Sequence, residues 1–204
     1  LFLLIVDHKH SVSLIWKDNM YTTEILEDNH KNIMRMTAVV KKMCVGVMEG
    51  QEVVIDDFNA FCDFASSYGD QYHHMKEENF LFPEMIAKLK GHAEMMIEKG
   101  MLVDHNLGRA HIMSLRNALS DYQKDSSTYN KLLILTQAMG YVDVLESHIL
   151  KENNVLFPYA NQNLPEASQT MLDDMTKGFE KRMSNQGTIK KYLDILEKLE
   201  NKYQ

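Results

Sequence analysis

Two segments of the chain repeat one another: His73-His74-Met75-Lys76-Glu77-Glu78-Asn79-Phe80-Leu81-Phe82-Pro83 and His148-Ile149-Leu150-Lys151-Glu152-Asn153-Asn154-Val155-Leu156-Phe157-Pro158. In each, a His precedes a Glu by four residues, which on a helix stacks both side chains on one face. Imidazole with carboxylate is a donor set for iron, manganese or zinc, and a Glu has two oxygens with which to span two cations. A lone pair of this kind is more often a surface ion pair. Its duplication ahead of an identical Leu-Phe-Pro favours the metal reading. His74 and Glu78 form an equally spaced pair, rotated by about 100 degrees. The repeat selects His73, because Pro83 follows it by ten residues as Pro158 follows His148.

Two further His residues interrupt apolar stripes, His30 between Leu26 and Ile33 and His105 between Leu102 and Leu107. Either alone reads as a core His with a satisfied hydrogen bond. Together with the repeats they supply one His to each of four predicted helices.

Apolar residues at three- and four-residue spacing define those helices. The first runs from about Tyr21 to Glu49, with Ile25, Leu26, Ile33, Met36, Val40 and Met43 recurring before Gly50. The second starts at Asp56 or Asp57 as a cap and continues to about Leu89, bent or broken by Pro83. The third, after Gly91 and with a break at Gly100, reaches about Gln123; the fourth spans about Tyr129 to Phe157 and ends at Pro158. Short connections make the neighbours antiparallel. The expectation is an all-α, up-down-up-down four-helix bundle over residues 21–160, after an N-terminal segment 1–20 and before additional C-terminal helices in 161–204. The tail's Tyr192, Leu193, Ile195, Leu196 and Leu199 form a stripe that either packs on the bundle or pairs two chains as a homodimer. With the helix mid-points at one level, four imidazoles and two carboxylates converge, more than a structural zinc takes and suited to two bridged metals.

From about Tyr21 to Tyr159 these residues resemble the hemerythrin HHE cation-binding family. The resemblance implies two iron ions with an oxo, hydroxo or water bridge, His30, His73, His105 and His148 as terminal ligands, and Glu77 and Glu152 as bridging carboxylates. It also implies a small diatomic ligand or peroxide as partner. The respiratory carriers of the family have a second His on helix three, where this chain has Arg109, and an Asp five residues past the fourth-helix His, where it has Glu152 at four. Those departures favour sensing or redox roles over oxygen carriage. His74 is either a fifth His ligand, filling the position Arg109 leaves, or a bystander. Peroxidase, nitric-oxide reductase and iron-centre repair chemistry would all use the same ligands, as would an iron-responsive regulatory or structural module without turnover. A ferritin-like carboxylate site needs two Glu-x-x-His motifs, and only Glu27-x-x-His30 fits.

A net charge of -7 without a basic run among aromatics disfavours nucleic acid. Leu1 to Val6 is apolar but is followed by Asp7-His8-Lys9-His10, too short for a membrane helix, and no small-residue cleavage site follows. Cys44 and Cys62 lack metal spacing and read as buried free thiols of a reducing cytoplasm. The fifteen Met residues read as core filler. Ile33, Thr37, Ile112, Tyr141 and Leu145 are expected around the ligand; Tyr141, two turns before His148, reads more often as ordinary core packing than as a hydrogen-bond donor to the ligand. Glu27 and Asp104 are candidates to orient imidazoles, although an exposed carboxylate is the commoner outcome at such positions. His8, His10, His92 and His111 read as surface or loop residues.

Overall fold

The computed structural model describes residues 19–204, all of whose regular structure is helical. The expectations for Leu1–Val6, His8 and His10 lie outside the described residues. Helix α1 is Tyr21–Met48; α2 covers 55–89, α3 91–124 and α4 128–163; α5 is Glu166–Asn185 and α6 is Thr188–Lys202.

The prolines do not end their helices. Pro83 and Pro158 cannot donate a backbone hydrogen bond, and each ring crowds the carbonyl four residues back. The chain responds with one wide turn: the Phe82 amide donates to the Glu77 carbonyl and the Phe157 amide to the Glu152 carbonyl, five residues back in each case. Helix α4 therefore continues past Pro158 to Asn163. The expected break at Gly100 is likewise a wide turn, with the Leu102 amide on the Ile97 carbonyl. Neither Asp56 nor Asp57 caps α2, which begins at Ile55. Asp57 instead accepts from Lys202 and Tyr203 of the tail.

Two apolar clusters show the topology. One contains Ile33, Met36, Phe61, Tyr68, Ile112, Leu115, Val142 and Leu145; the other contains Leu26, Leu81, Phe82, Met101, Leu156 and Phe157. Along α1 and α3 the chain passes from the second cluster to the first, and along α2 and α4 from the first to the second. The four helices are thus alternately up and down, and the crossing point on each carries the His and Glu residues of interest.

The tail completes the bundle. Tyr192, Leu196 and Leu199 are buried in the first cluster, and Leu172 in the second. Helix α1 has no capping side chain of its own at Met20, and Asp173 of α5 substitutes: its carboxylate accepts from the Tyr21 and Thr22 amides at 3.2 and 2.9 Å. No helix among the described residues is long and apolar enough to cross a membrane.

Candidate metal centre

His30, His73, His105 and His148 each lie 1% exposed, and Glu77 and Glu152 are fully buried. The imidazoles meet in pairs, His30 Nε2 at 3.0 Å from His73 Nε2 and His105 Nε2 at 3.1 Å from His148 Nε2. Both pairs are 43 residues apart in sequence, so the duplicated unit is the whole helical hairpin rather than the motif alone. The carboxylates link the pairs. Glu77 presents one oxygen 3.4 Å from His73 Nε2 and the other 3.5 Å from His105 Nε2. Glu152 Oε2 lies 3.2 Å from His30 Nε2 and 3.1 Å from His148 Nε2.

Two four-residue groups result, His30 with His73, Glu77 and Glu152, and His74 with Glu77, His105 and His148, whose donor atoms lie within 4.8 Å of one another. Glu77 belongs to both. None of the four carboxylate oxygens of Glu77 and Glu152 has a hydrogen-bond partner, nor does His74 Nε2. Buried carboxylates without partners are costly, and cations between them would satisfy every one. A mixed imidazole and carboxylate set suits a first-row transition metal. The residues therefore fit a pair of cations.

The outer nitrogens of His30 and His105 are tied by residues that follow a symmetric plan, whereas His73 Nδ1 and His148 Nδ1 have no hydrogen-bond partner. Asn153, one residue past Glu152, accepts from His30 Nδ1 at 2.6 Å; Glu78, one residue past Glu77, accepts from His105 Nδ1 at 2.6 Å. Each such bond leaves the Nε2 lone pair facing the centre. The repeated Phe is also explained: Phe157 stacks on His30 at 5.6 Å and Phe82 on His105 at 5.8 Å. Asp104 lies 3.5 Å from His148 Nδ1, an ion-pair distance without a hydrogen bond. Glu27 does not take the corresponding role for His30, which Asn153 fills. The signal that could have found Asn153 and Glu78 is their shared offset from the two Glu residues.

Arg109 occupies the rim. Its guanidinium contacts Asp70 at 2.7 Å and Glu78 at 2.5 Å, and Asp70 in turn lies 3.3 Å from His74 Nδ1. Partial burial would raise Asp70 and Glu78, but hydrogen bonds from His74, His105 and Arg109 hold both at about 2. Asp70, His74 and Glu78 form a third acidic and imidazole group. There the guanidinium already supplies the positive charge.

Burial, then the neighbouring His105, pushes His74 down to about 3. Burial together with His30 and His74 keeps His73 well below the usual range. Burial and the adjacent Glu152 carboxylate drive Glu77 well above it. Burial also opposes charge on His148, but Glu152 and Asp104 lift it to about 9. The cluster thus favours the neutral form of His73, His74 and His105 and the protonated form of Glu77 and His148, and a cation would take the place of the proton.

A cavity of about 210 Å³ reaches this centre between α2, α3 and α4. Ile112, Tyr141 and Leu145 line it as expected; Ile33 and Thr37 do not, the former lying in the core and the latter donating to Glu146 at 2.9 Å. His111 is not a free surface residue. Its Nδ1 lies 2.9 Å from Gln137 Oε1, and it packs so closely on Gly140 that a Cβ there would sit 2.5 Å from the ring. Lys76 is the residue whose burial the sequence conceals. It is fully buried, with its ammonium 2.7 Å from both Asn29 Oδ1 and Glu180 Oε1 and over the Tyr72 ring at 3.7 Å.

Helical topology and site together define a bundle with a buried His and Glu cluster that could hold metal ions. The hemerythrin HHE cation binding domain model matches residues 21–160, and the chain belongs to that family. No similar curated protein and no similar solved structure was found.

Proposed function

We propose that the chain is a hemerythrin-like non-haem di-iron protein that binds dioxygen, nitric oxide or peroxide, in oxygen or redox sensing or in the response to oxidative and nitrosative stress. The observation that carries this is the pair of four-residue groups sharing Glu77, with four carboxylate oxygens lacking partners. In this reading His30 and His73 would hold one ion, His105 and His148 with His74 would hold the other, and Glu77 and Glu152 would serve both. Residues 21–160 form the metal-binding bundle and 161–204 its extension, and the protein works in the cytoplasm. Iron, when bound, supplies the redox change and the position for the small ligand. The chain's own residues orient the imidazoles through Asn153, Glu78, Asp104 and Asp70, exclude bulk water with two apolar clusters, and offer a cavity for the ligand.

The test is metal analysis of protein produced with iron, with an ultraviolet-visible spectrum before and after azide. Two irons per chain and a spectrum that azide changes are expected. One zinc per chain without iron uptake contradicts the reading. An iron-responsive regulatory module is the second reading, favoured by the Glu180 contact from the tail to Lys76, beside Glu77. It predicts an oligomeric state or stability that changes with iron, without consumption of peroxide or nitric oxide when a reductant is supplied.

A further inference from the structure

We propose that the outer face shared by α1 and α4 is a contact between two copies of the chain, related by a two-fold axis that runs along the bundle.

Besides the stripe it buries in the core, α1 carries a second one: Met34, Ala38, Lys41, Val45 and Met48, at alternating four- and three-residue spacing. Helix α4 repeats the pattern with Leu132, Thr136, Met139, Asp143, Glu146 and Leu150. Apart from half-buried Glu146, all of these residues are exposed. Helices use this spacing to line a seam against another helix. The two stripes lie side by side, because Glu146 accepts from Thr37 at 2.9 Å and from Lys41 at 2.7 Å. Antiparallel helices then bring Met34 level with Leu150 to one side of that contact, and Val45 level with Met139 to the other. Met48 and Leu132 extend the stripe beyond. Six of the fifteen large apolar residues exposed among the described residues fall on this face, from Met34 at 36% to Met48 at 77%, which makes it a patch rather than scatter. The tail reaches α1 elsewhere. Glu200 of α6 holds Arg35, six residues from Lys41 and so about 120 degrees round the helix.

The charges select the occupant. Two copies of a chain with a net charge of -7 repel wherever acidic surface meets acidic surface. This face differs, because its middle carries a cation on one helix and carboxylates on the other. Under a two-fold axis along the bundle, α1 of one copy stands antiparallel against α4 of the second at the same level. Lys41 then meets Glu146 and Asp143 of the second copy, while Met34, Val45 and Met48 meet its Leu150, Met139 and Leu132. Apolar ends cover apolar ends, and the charged belt between them fixes the register. With 1.5 Å of rise per residue and about 10 Å of width per helix, the face covers on the order of 500 Å² per copy, about where specific interfaces begin. The expected dimer is therefore a micromolar one.

The experiment is sedimentation of the full chain as purified, up to about 100 μM. A dimer, at twice the 23.7 kDa chain mass, is expected. Val45→Glu and Met139→Glu each put a carboxylate into an apolar end of the contact, and at these exposed positions the circular dichroism stays helical. Each is expected to weaken the dimer by about 30-fold or more. The charged belt is tested by exchange. Lys41→Glu and Glu146→Lys each set like charges against one another in a dimer of their own kind, so each alone dissociates more readily than wild type. Their equimolar mixture pairs opposite charges across the axis and should dimerise more tightly than either component. A wild-type chain that stays monomeric throughout, a dimer that survives both Val45→Glu and Met139→Glu, or a mixture no more associated than its components overturns the proposal.

Discussion

Glu78 and Asn153 stand at one place in the two copies of the repeat and do one task in two chemistries. Each accepts from the Nδ1 of an imidazole on the facing helix, at 2.6 Å. Loss of such a partner frees the ring to turn and lowers its basicity, so Asn153→Leu is expected to weaken metal binding by about 10- to 100-fold, read by chelator competition. The His and Glu residues that meet in the core were legible in the sequence because their offsets occur twice in one register. The orienting residues were not, because each acts on a helix distant in sequence, and Glu27 was as good a candidate on spacing alone. The register itself is open to test: His73→Ala should retain one metal ion, whereas His74→Ala should retain two. Metal analysis that reverses this order places the pair at His74 and Glu78 instead.

Proton uptake belongs to this scale as well. Without metal, Glu77 is held above its ordinary value, and His148 is raised to about 9. His148 is therefore protonated at neutral pH, and ligation must expel that proton. Metal affinity should rise with pH up to about 9, and each binding event should release protons that an indicator dye in weak buffer can count. Affinity independent of pH between 6 and 8 would contradict this.

Helical periodicity located the elements, but their ends were set by partners that no local pattern reveals. Prolines at 83 and 158 read as stops, yet wide turns at Glu77–Leu81 and Glu152–Leu156 absorb them. The same distortion occurs twice, beginning at Glu77 and at Glu152. Helix α1 begins where it does because Asp173 arrives from 151 residues away to hold the Thr22 amide. Lys76 matches Lys151 in the repeat, but the first is buried against Glu180 while the second, exposed, bonds Asp104. Removing Glu180 strands a buried ammonium, and Glu180→Ala is expected to lower stability by about 3 kcal/mol in urea denaturation. A loss below about 0.5 kcal/mol would mean that the tail merely lies against the bundle.

Across the whole molecule, a polar layer divides the apolar core into two clusters on either side of the His and Glu residues. Up-down-up-down order was readable from four stripes and short connections. The contribution of the tail to both clusters was not, since an amphipathic stripe fits a partner chain as well as its own bundle. The layer also makes the bundle's integrity depend on what fills it, because carboxylates without partners at the centre oppose close packing.

The central claim is that one pair of carboxylates spans two metal ions, and the iron content of Glu152→Gln tests it most directly. Glutamine preserves shape but removes a charge that lies within 3.2 Å of an imidazole from each pair. Both sites should therefore weaken together: where wild-type protein carries two irons per chain, the variant should fall well below one while its circular dichroism stays helical. A Glu152→Gln protein that keeps two irons and the wild-type spectrum would contradict the account.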